Sequence, residues 1–184
     1  MRDRPAIDAQ PAVRAAIDAV LDRFGDGALR LAAAAKVRVV HLRHCEGYRD
    51  RSPALSRIAN GVDAWPVPPA GLFVVEERAV YLRSPSPMTV AHEFAHALDC
   101  ALGGGVYMSG IDPRIRRAFE GARAFVTPYA ASALDEYFAE SLRAWVEVND
   151  AVSPWPRATR ARLRAVDPAM VDILETLFAY DLVS

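Results

Sequence analysis

The chain has 184 residues, of which 52% are hydrophobic and 24% charged, and its formal net charge is −1. This length and composition predict one compact globular domain over residues 1–184 and give no field of positive charge that would attract nucleic acid. No apolar run approaches the roughly 20 residues that cross a bilayer. We therefore expect neither a nucleic acid nor a membrane as a partner, and the composition leaves the oligomeric state open.

The cysteines and the first residues bear on the cellular compartment. Cys45 and Cys100 are too few for a disulfide framework, and we expect two free thiols rather than a single bridge. Residues 1–10 alternate charged and apolar types and lack the apolar stretch of a secretion signal. We therefore expect a cytoplasmic protein, with a removed leader or export without a leader as the alternatives.

The N-terminal third of the chain predicts two helices and a strand. Apolar residues at helical spacing predict a helix over 11–24, which Gly25 ends, and an alanine run predicts a second helix over 28–36. Enrichment in β-branched residues predicts a strand over 37–42. The sequence therefore begins with mixed α and β structure.

The next segment predicts a short helix and then a pair of strands. The helix follows Ser52-Pro53 and ends near Asn60-Gly61, and a proline-rich turn follows it at 65–69. Two runs rich in β-branched and aromatic residues, 71–75 and 79–83, predict paired strands joined by a charged turn.

The rest of the chain predicts helices. A serine or aspartate followed by proline is typical of a helix start, and the pattern occurs at Ser86-Pro87, Asp112-Pro113, Ser153-Pro154 and Asp167-Pro168. Three glycines at 103–105 end the first of these helices. Ser132 and Asp135 resemble a capping box that opens another helix, extending to about Val148. The predicted fold class is α+β, mainly helical, with a small sheet just before the Ser86 helix.

Residues 92–96 have the H-E-x-x-H pattern. Residues four apart project from one face of a helix, so His92 and His96 can bind one zinc ion. Glu93 then points to one side of the metal, where it can take a proton from a water that the metal activates. The neighbouring residues are small or apolar, and polar side chains in a buried helix are costly without partners. We therefore predict a site for one zinc ion.

The third ligand must come from elsewhere in the chain. In one arrangement it lies six residues after the second histidine with a glycine midway, but those positions hold Leu102 and Asp99. A glutamate from a later helix is the other solution. Glu136 and Glu140 lie one turn apart in a mostly apolar segment and provide it. A solvated helix face is the alternative explanation for this pair.

These features together resemble a known family. The segments 92–99 (HEFAHALD) and 136–140 (EYFAE), with Tyr129 before the second, resemble the catalytic domain of anthrax lethal factor and the bacterial proline–proline endopeptidases. The resemblance extends from about Gly71 to Trp145 and more weakly to the last helices. It implies a zincin-like fold and a zinc-dependent endopeptidase of the gluzincin type, which acts on a peptide or protein substrate.

Carried over by position, the resemblance makes His92, His96 and Glu136 the metal ligands and Glu93 the general base. It also gives Tyr129, seven residues before Glu136, the role of a hydroxyl donor to the oxyanion of the tetrahedral intermediate.

Two further acidic residues match the family pattern. Glu140 would orient a histidine ligand by a hydrogen bond, and Asp99 would either support a ligand or join its helix to a loop. The secretion signal and the accessory domains of these relatives do not appear in this sequence. Host-directed toxin activity and proline specificity are therefore not carried over.

In such peptidases an extended substrate adds to an exposed sheet edge. We expect the strand over 79–83 to be that edge, with an ordinary inner strand as the alternative. Two alternatives to the zinc-dependent endopeptidase stay open. One is a catalytically inert zinc-binding relative that binds a protein partner, and the other is an effector or toxin protease. Glu93 favours activity over the inert relative, because a binding module has no need of a base.

Overall fold

The computed structural model describes residues 4–58, 61–153 and 156–178. The strands are β1 (Ala6–Asp8), β2 (Arg38–His41), β3 (Gly71–Val74) and β4 (Ala79–Leu82). The helices are α1 (Pro11–Leu21), α2 (Asp26–Ala34), α3 (Tyr48–Arg51), α4 (Pro53–Ser56), α5 (Pro87–Leu102), α6 (Met108–Ile111), α7 (Pro113–Gly121), α8 (Leu134–Trp145), α9 (Arg160–Val166) and α10 (Pro168–Phe178). The fold is α+β and mainly helical with a small sheet before α5, as the sequence predicts.

The sheet has the strand order β1-β2-β4-β3. β1, β2 and β4 are parallel, and β3 pairs antiparallel with β4, with Phe73 opposite Val80. β4 therefore has a neighbour on each side, and all its residues are buried. The prediction that residues 79–83 form the sheet edge is wrong, because β2 comes from an earlier part of the chain and covers that side of β4. The edge strand next to β4 is β3.

α5 lies between the sheet and the helices. It packs against β3 and β4 on one side and against α1, α2 and α8 on the other. Each residue from Val90 to Cys100 is buried, and Phe94 meets Phe24 edge to face with 5.0 Å between ring centroids. The helix ends at Leu102, where the N–H of Gly103 bonds the carbonyl of Asp99 at 3.1 Å. A helix surrounded in this way holds its side chains in fixed positions.

Helix starts that combine a polar cap with proline are confirmed at three places. The side chains of Ser86, Asp112 and Asp167 each accept a hydrogen bond from a backbone N–H in the first turn of α5, α7 and α10, at 3.2, 2.8 and 3.0 Å. Proline follows each cap, where its missing N–H costs no helical hydrogen bond.

The predicted capping box before α8 is wrong. Ala133 occupies the cap position and offers no side-chain acceptor, while the Ser132 hydroxyl donates to the carbonyl of Tyr129 at 2.7 Å. The helix ends at Trp145, earlier than predicted, and Glu147 just beyond it has a left-handed backbone with φ of 57°.

The predicted helix start at Ser153-Pro154 falls partly outside the described residues, and residues 156–159 are not helical. α9 begins at Arg160, where the Thr159 side chain accepts from the N–H of Arg162 at 3.1 Å. Pro154 lies outside the described residues, as does Asn60, near which the helix after Ser52-Pro53 is predicted to end. That helix, α4, ends at Ser56.

Cys45 is exposed and Cys100 is buried, and both are free thiols, as predicted. Across the described parts of the chain, none of the helices has both the length and the apolar character needed to cross a membrane.

Candidate metal centre

Two histidines from α5 and one glutamate from α8 converge at a single point. One ligand atom from each of His92, His96 and Glu136 lies within 4.8 Å of the others. Glu136 Oε2 is 3.0 Å from His92 Nε2 and 3.4 Å from His96 Nε2, and the two Nε2 atoms are 3.2 Å apart. Within residues 4–58, 61–153 and 156–178, this is the one group of three or more such side chains close enough to share an ion.

The donor set and its surroundings fit a metal. Two imidazole nitrogens and a carboxylate oxygen are the ligands of many catalytic zinc sites. Glu136 Oε2 is buried and, among the described residues, has no well-aligned hydrogen-bond donor although both imidazoles face it. A cation between the three groups would satisfy that oxygen. The residues present therefore fit a metal ion, which His92, His96 and Glu136 could hold.

The charges at this point favour retention of a positive charge. Burial lowers the pKa of His92, but the adjacent carboxylates of Glu136 and Glu140 outweigh it and raise that pKa to about 10. Burial raises the pKa of Glu136, and the two histidines outweigh it and hold that pKa below its usual range. A positive charge, carried by a proton or by a metal cation, is therefore favoured between the three groups.

Glu93 follows His92 on α5 and is held against the sheet. A Cβ at Gly71, the first residue of β3, would lie 2.6 Å from Glu93 Cγ and 2.7 Å from the Thr89 methyl carbon, so only glycine allows this approach. Burial raises the pKa of Glu93, and the nearby histidines and the backbone of Phe73 oppose the shift only in part. A carboxylate with a raised pKa is suited to accepting a proton and later donating it.

Tyr129 lies at the open side of the cluster, in the 3-10 turn Tyr129–Ala131. Its hydroxyl donates to Glu136 Oε1 at 3.0 Å, and its ring centroid is 5.5 Å from that of His92. Half of the residue is exposed, at 50%. Burial of the rest and the adjacent Glu136 raise the pKa of Tyr129, so the phenol stays protonated and can donate a hydrogen bond.

Glu140 lies one turn after Glu136 and accepts from several donors. Its Oε1 accepts from His92 Nδ1 at 2.9 Å, and its Oε2 accepts from the Thr127 hydroxyl at 2.6 Å. Arg143 forms two further bonds to the same carboxylate. Neither Thr127 nor Arg143 was predicted from the sequence. For Arg143 a signal existed, because an arginine three positions after Glu140 in an apolar helix can pair with that glutamate.

Asp99 joins α5 to the following segment. One of its oxygens accepts from the Ser109 N–H at 2.8 Å and the other from the Ser109 hydroxyl, at the start of α6. The sequence left two roles open for Asp99, support of a metal ligand or a contact between its helix and the following segment. The hydrogen bonds to Ser109 are the second of these. Burial raises the pKa of Asp99 to about 6 against these hydrogen bonds.

An open cleft of about 330 Å³ runs past His92, Glu93 and Tyr129. Pro69, Ala70 and Met88 contribute apolar side chains to its wall. The cluster is therefore open to solvent beside the start of β3.

Comparisons with known proteins bear on the fold. No family model matches the chain, and none of the curated proteins matches it. Among solved structures, the chain resembles the PRO-PRO endopeptidase PPEP-2 from Paenibacillus alvei, with a TM-score of 0.65 and 19% identity. The match covers 93% of this chain and 94% of that chain. The described architecture is thus the α+β fold of that endopeptidase.

Proposed function

We propose that this protein is a zinc-dependent endopeptidase that hydrolyses internal peptide bonds. The observation that carries the proposal is the convergence of His92, His96 and Glu136 on one point, with the buried carboxylate of Glu93 beside them. The likeness of the whole fold to an endopeptidase supports the same assignment.

The side chains divide the reaction between them. Bound zinc would supply a Lewis acid that polarises the peptide carbonyl and lowers the pKa of water. Glu93 takes the proton that the attacking water loses and passes it to the nitrogen of the leaving amine. Tyr129 donates its hydroxyl to the carbonyl oxygen as that oxygen gains negative charge. Each group thereby acts where charge changes in the transition state.

The substrate would add to β3 rather than to β4. β3 pairs only with β4 among the described strands, so no described strand covers its other edge. Gly71 places the start of this strand against Glu93. An extended peptide that pairs with the other edge of β3 would pass the metal with its backbone held by main-chain hydrogen bonds.

The test is cleavage of a mixed peptide library by the zinc-loaded protein and by Glu93→Gln, which keeps the size of the side chain and removes its basicity. The matched control is Glu76→Gln, on the exposed turn between β3 and β4. We expect equal cleavage by the parent and the control and none by Glu93→Gln, with one zinc bound in all three.

Two results would contradict the proposal. One is cleavage that survives in Glu93→Gln, and the other is no cleavage by the zinc-loaded parent. The library should include Pro-Pro bonds, because the name of the similar structure contains that specificity. The positions of the cuts then define the preferred residues around the bond.

A further inference from the structure

Arg143 carries a charge that is almost fully buried. It lies in the last turn of α8 and is 1% exposed. Its Nε donates to Glu140 Oε1 at 2.9 Å and its Nη2 donates to Glu140 Oε2 at 2.8 Å. This is the bidentate geometry in which a planar guanidinium fixes the orientation of a carboxylate.

The fixed carboxylate determines how His92 is presented. Arg143 donates to both carboxylate oxygens of Glu140, and Thr127 donates to one of them. The remaining donor to this carboxylate among the described residues is the Nδ1–H of His92. A proton on Nδ1 leaves the lone pair of Nε2 free, and Nε2 is the atom that faces Glu136. The orientation and tautomer of this imidazole therefore follow from the position of the guanidinium.

Arg143 is itself held from the opposite side. Its Nη1 donates to the Val148 carbonyl at 3.0 Å and to the Asn149 side chain at 3.2 Å. The next residue, Asp150, accepts from the N–H of Met88 in the first turn of α5 at 2.8 Å. The contacts form a closed circuit from α5 through residues 148–150 and Arg143 to Glu140, and back to α5 at His92.

We infer that Arg143 is a positioning residue for the metal ligand His92, acting through the carboxylate of Glu140. The inference rests on the proposed metal site and adds a residue that touches neither the ion nor the substrate. An arginine that only stabilised the fold would need no contact with a carboxylate that bonds a ligand. Here two of its three nitrogens bond that carboxylate, and the third links it to the segment that caps α5.

The test measures metal binding in addition to activity. The Kd for Zn²⁺ is determined by competition with a chelator, and the visible spectrum of the Co²⁺-substituted protein reports the geometry around the ion. The variants are Arg143→Met, which removes the guanidinium, and Arg143→Lys, which keeps the charge without the planar fork. The matched control is Arg162→Met, because Arg162 donates to the carbonyl of Val126 and not to Glu140.

We expect Arg143→Met to weaken Zn²⁺ binding by on the order of 10-fold or more and to change the Co²⁺ spectrum. Arg143→Lys should recover part of the affinity, and Arg162→Met should match the parent. Circular dichroism of each variant reports whether it is folded. If Arg143→Met does not fold, Arg143→Lys carries the test with the same two measurements.

An unchanged Kd and spectrum in the folded Arg143 variants would overturn the inference, as would an equal loss in Arg162→Met. A parent that binds Zn²⁺ but cuts no peptide would remove the proposed endopeptidase activity and leave this test intact. A parent that binds no metal at these ligands would overturn both.

Discussion

Three glutamates meet at the candidate metal centre, and their surroundings give them different proton affinities. Burial raises the pKa of Glu93. The adjacent histidines outweigh burial at Glu136, and His92 and Arg143 do so at Glu140, so both pKa values are lowered. Separation of pKa values in this way assigns roles within one site. Glu93 is suited to exchange a proton, while Glu136 and Glu140 stay charged, as the proposed roles of a metal ligand and of the partner of a ligand require.

Replacement of Glu136 by alanine should remove the metal. Two histidines on one helix bind zinc more weakly than three converging ligands, because one coordination bond is lost. We expect the dialysed variant to hold well under one zinc per chain by atomic emission spectrometry, while the neighbouring Asp135→Asn keeps one. A Glu136→Ala protein that retains one tightly held zinc would show that the ligand is assigned wrongly.

Replacement of Tyr129 by phenylalanine should slow the reaction and leave the metal in place. The change removes a single hydroxyl that would stabilise the oxyanion, and loss of one such donor costs on the order of 10²-fold in kcat. The measurement is kcat and KM on a cleaved library peptide, with the zinc content determined on the same sample. Turnover equal to that of the parent would exclude this role for the phenol.

Much of this site was accessible from the sequence, because its signals are local. The spacing of His92 and His96 follows directly from helix geometry, and Glu136 stands out as an acid in an apolar segment. Thr127 was missed because its contact with Glu140 depends on how the turn before α8 folds back. Arg143 was missed because an arginine near a helix end is usually exposed, and only tertiary packing shows that this one is buried.

At the scale of elements, the contact between β3 and α5 joins the sheet to the helix that carries His92 and His96. Gly71 has no side chain at the point where Glu93 and Thr89 approach the strand. The edge strand on which a substrate would lie and the helix that carries the proposed base are therefore in direct contact.

The variant Gly71→Ala tests this contact. The added methyl group would lie well inside van der Waals distance of Glu93 and Thr89, and overpacking of this kind costs about 1–3 kcal/mol of stability. We expect a lower free energy of unfolding by urea and slower cleavage, with zinc still bound. Gly110→Ala is the control, since a Cβ there meets no atom within 4 Å. Equal behaviour of the two variants would contradict the close packing.

Most helices and three of the four described strands were predicted from the sequence, and the misses have physical reasons. β1 has only three residues, and just one of them, Ile7, is buried, so it shows little periodicity. The edge strand was misassigned because sheet order depends on pairing between distant segments, which neighbouring residues do not reveal. Before α8, Ser132 and Asp135 have the spacing of a capping box. In the structure the Ser132 hydroxyl instead donates to the carbonyl of Tyr129, in the turn before the helix.

At the scale of the whole molecule, the candidate metal centre lies on two helices of the main core. Apolar residues of α1, α2, α5, α8 and the C-terminal helices form one buried cluster, and Phe94 and Phe138 lie in it close to the ligands in sequence. Any change that separates α5 from α8 therefore disrupts the core and the candidate site together. Metal affinity and global stability should depend on each other.

Zinc should consequently raise the stability of the folded chain. A ligand that binds only the folded state adds about 2.7 kcal/mol to the free energy of unfolding when its free concentration is 100 times its Kd. The measurement is urea unfolding with excess zinc and with a chelator. We expect the difference in the parent and its loss in Glu136→Ala. A zinc effect that persists in that variant would place the ion elsewhere.

The division of ligands between two helices also orders the events of folding. His92 and His96 come together whenever α5 forms, because they are one turn apart. Glu136 lies forty positions beyond His96 in the sequence and reaches them only when α8 docks. A nascent chain would therefore offer an ion a two-histidine helix first. Docking of α8 would then complete the set of three, and an ion bound to all of them would oppose the separation of the two helices.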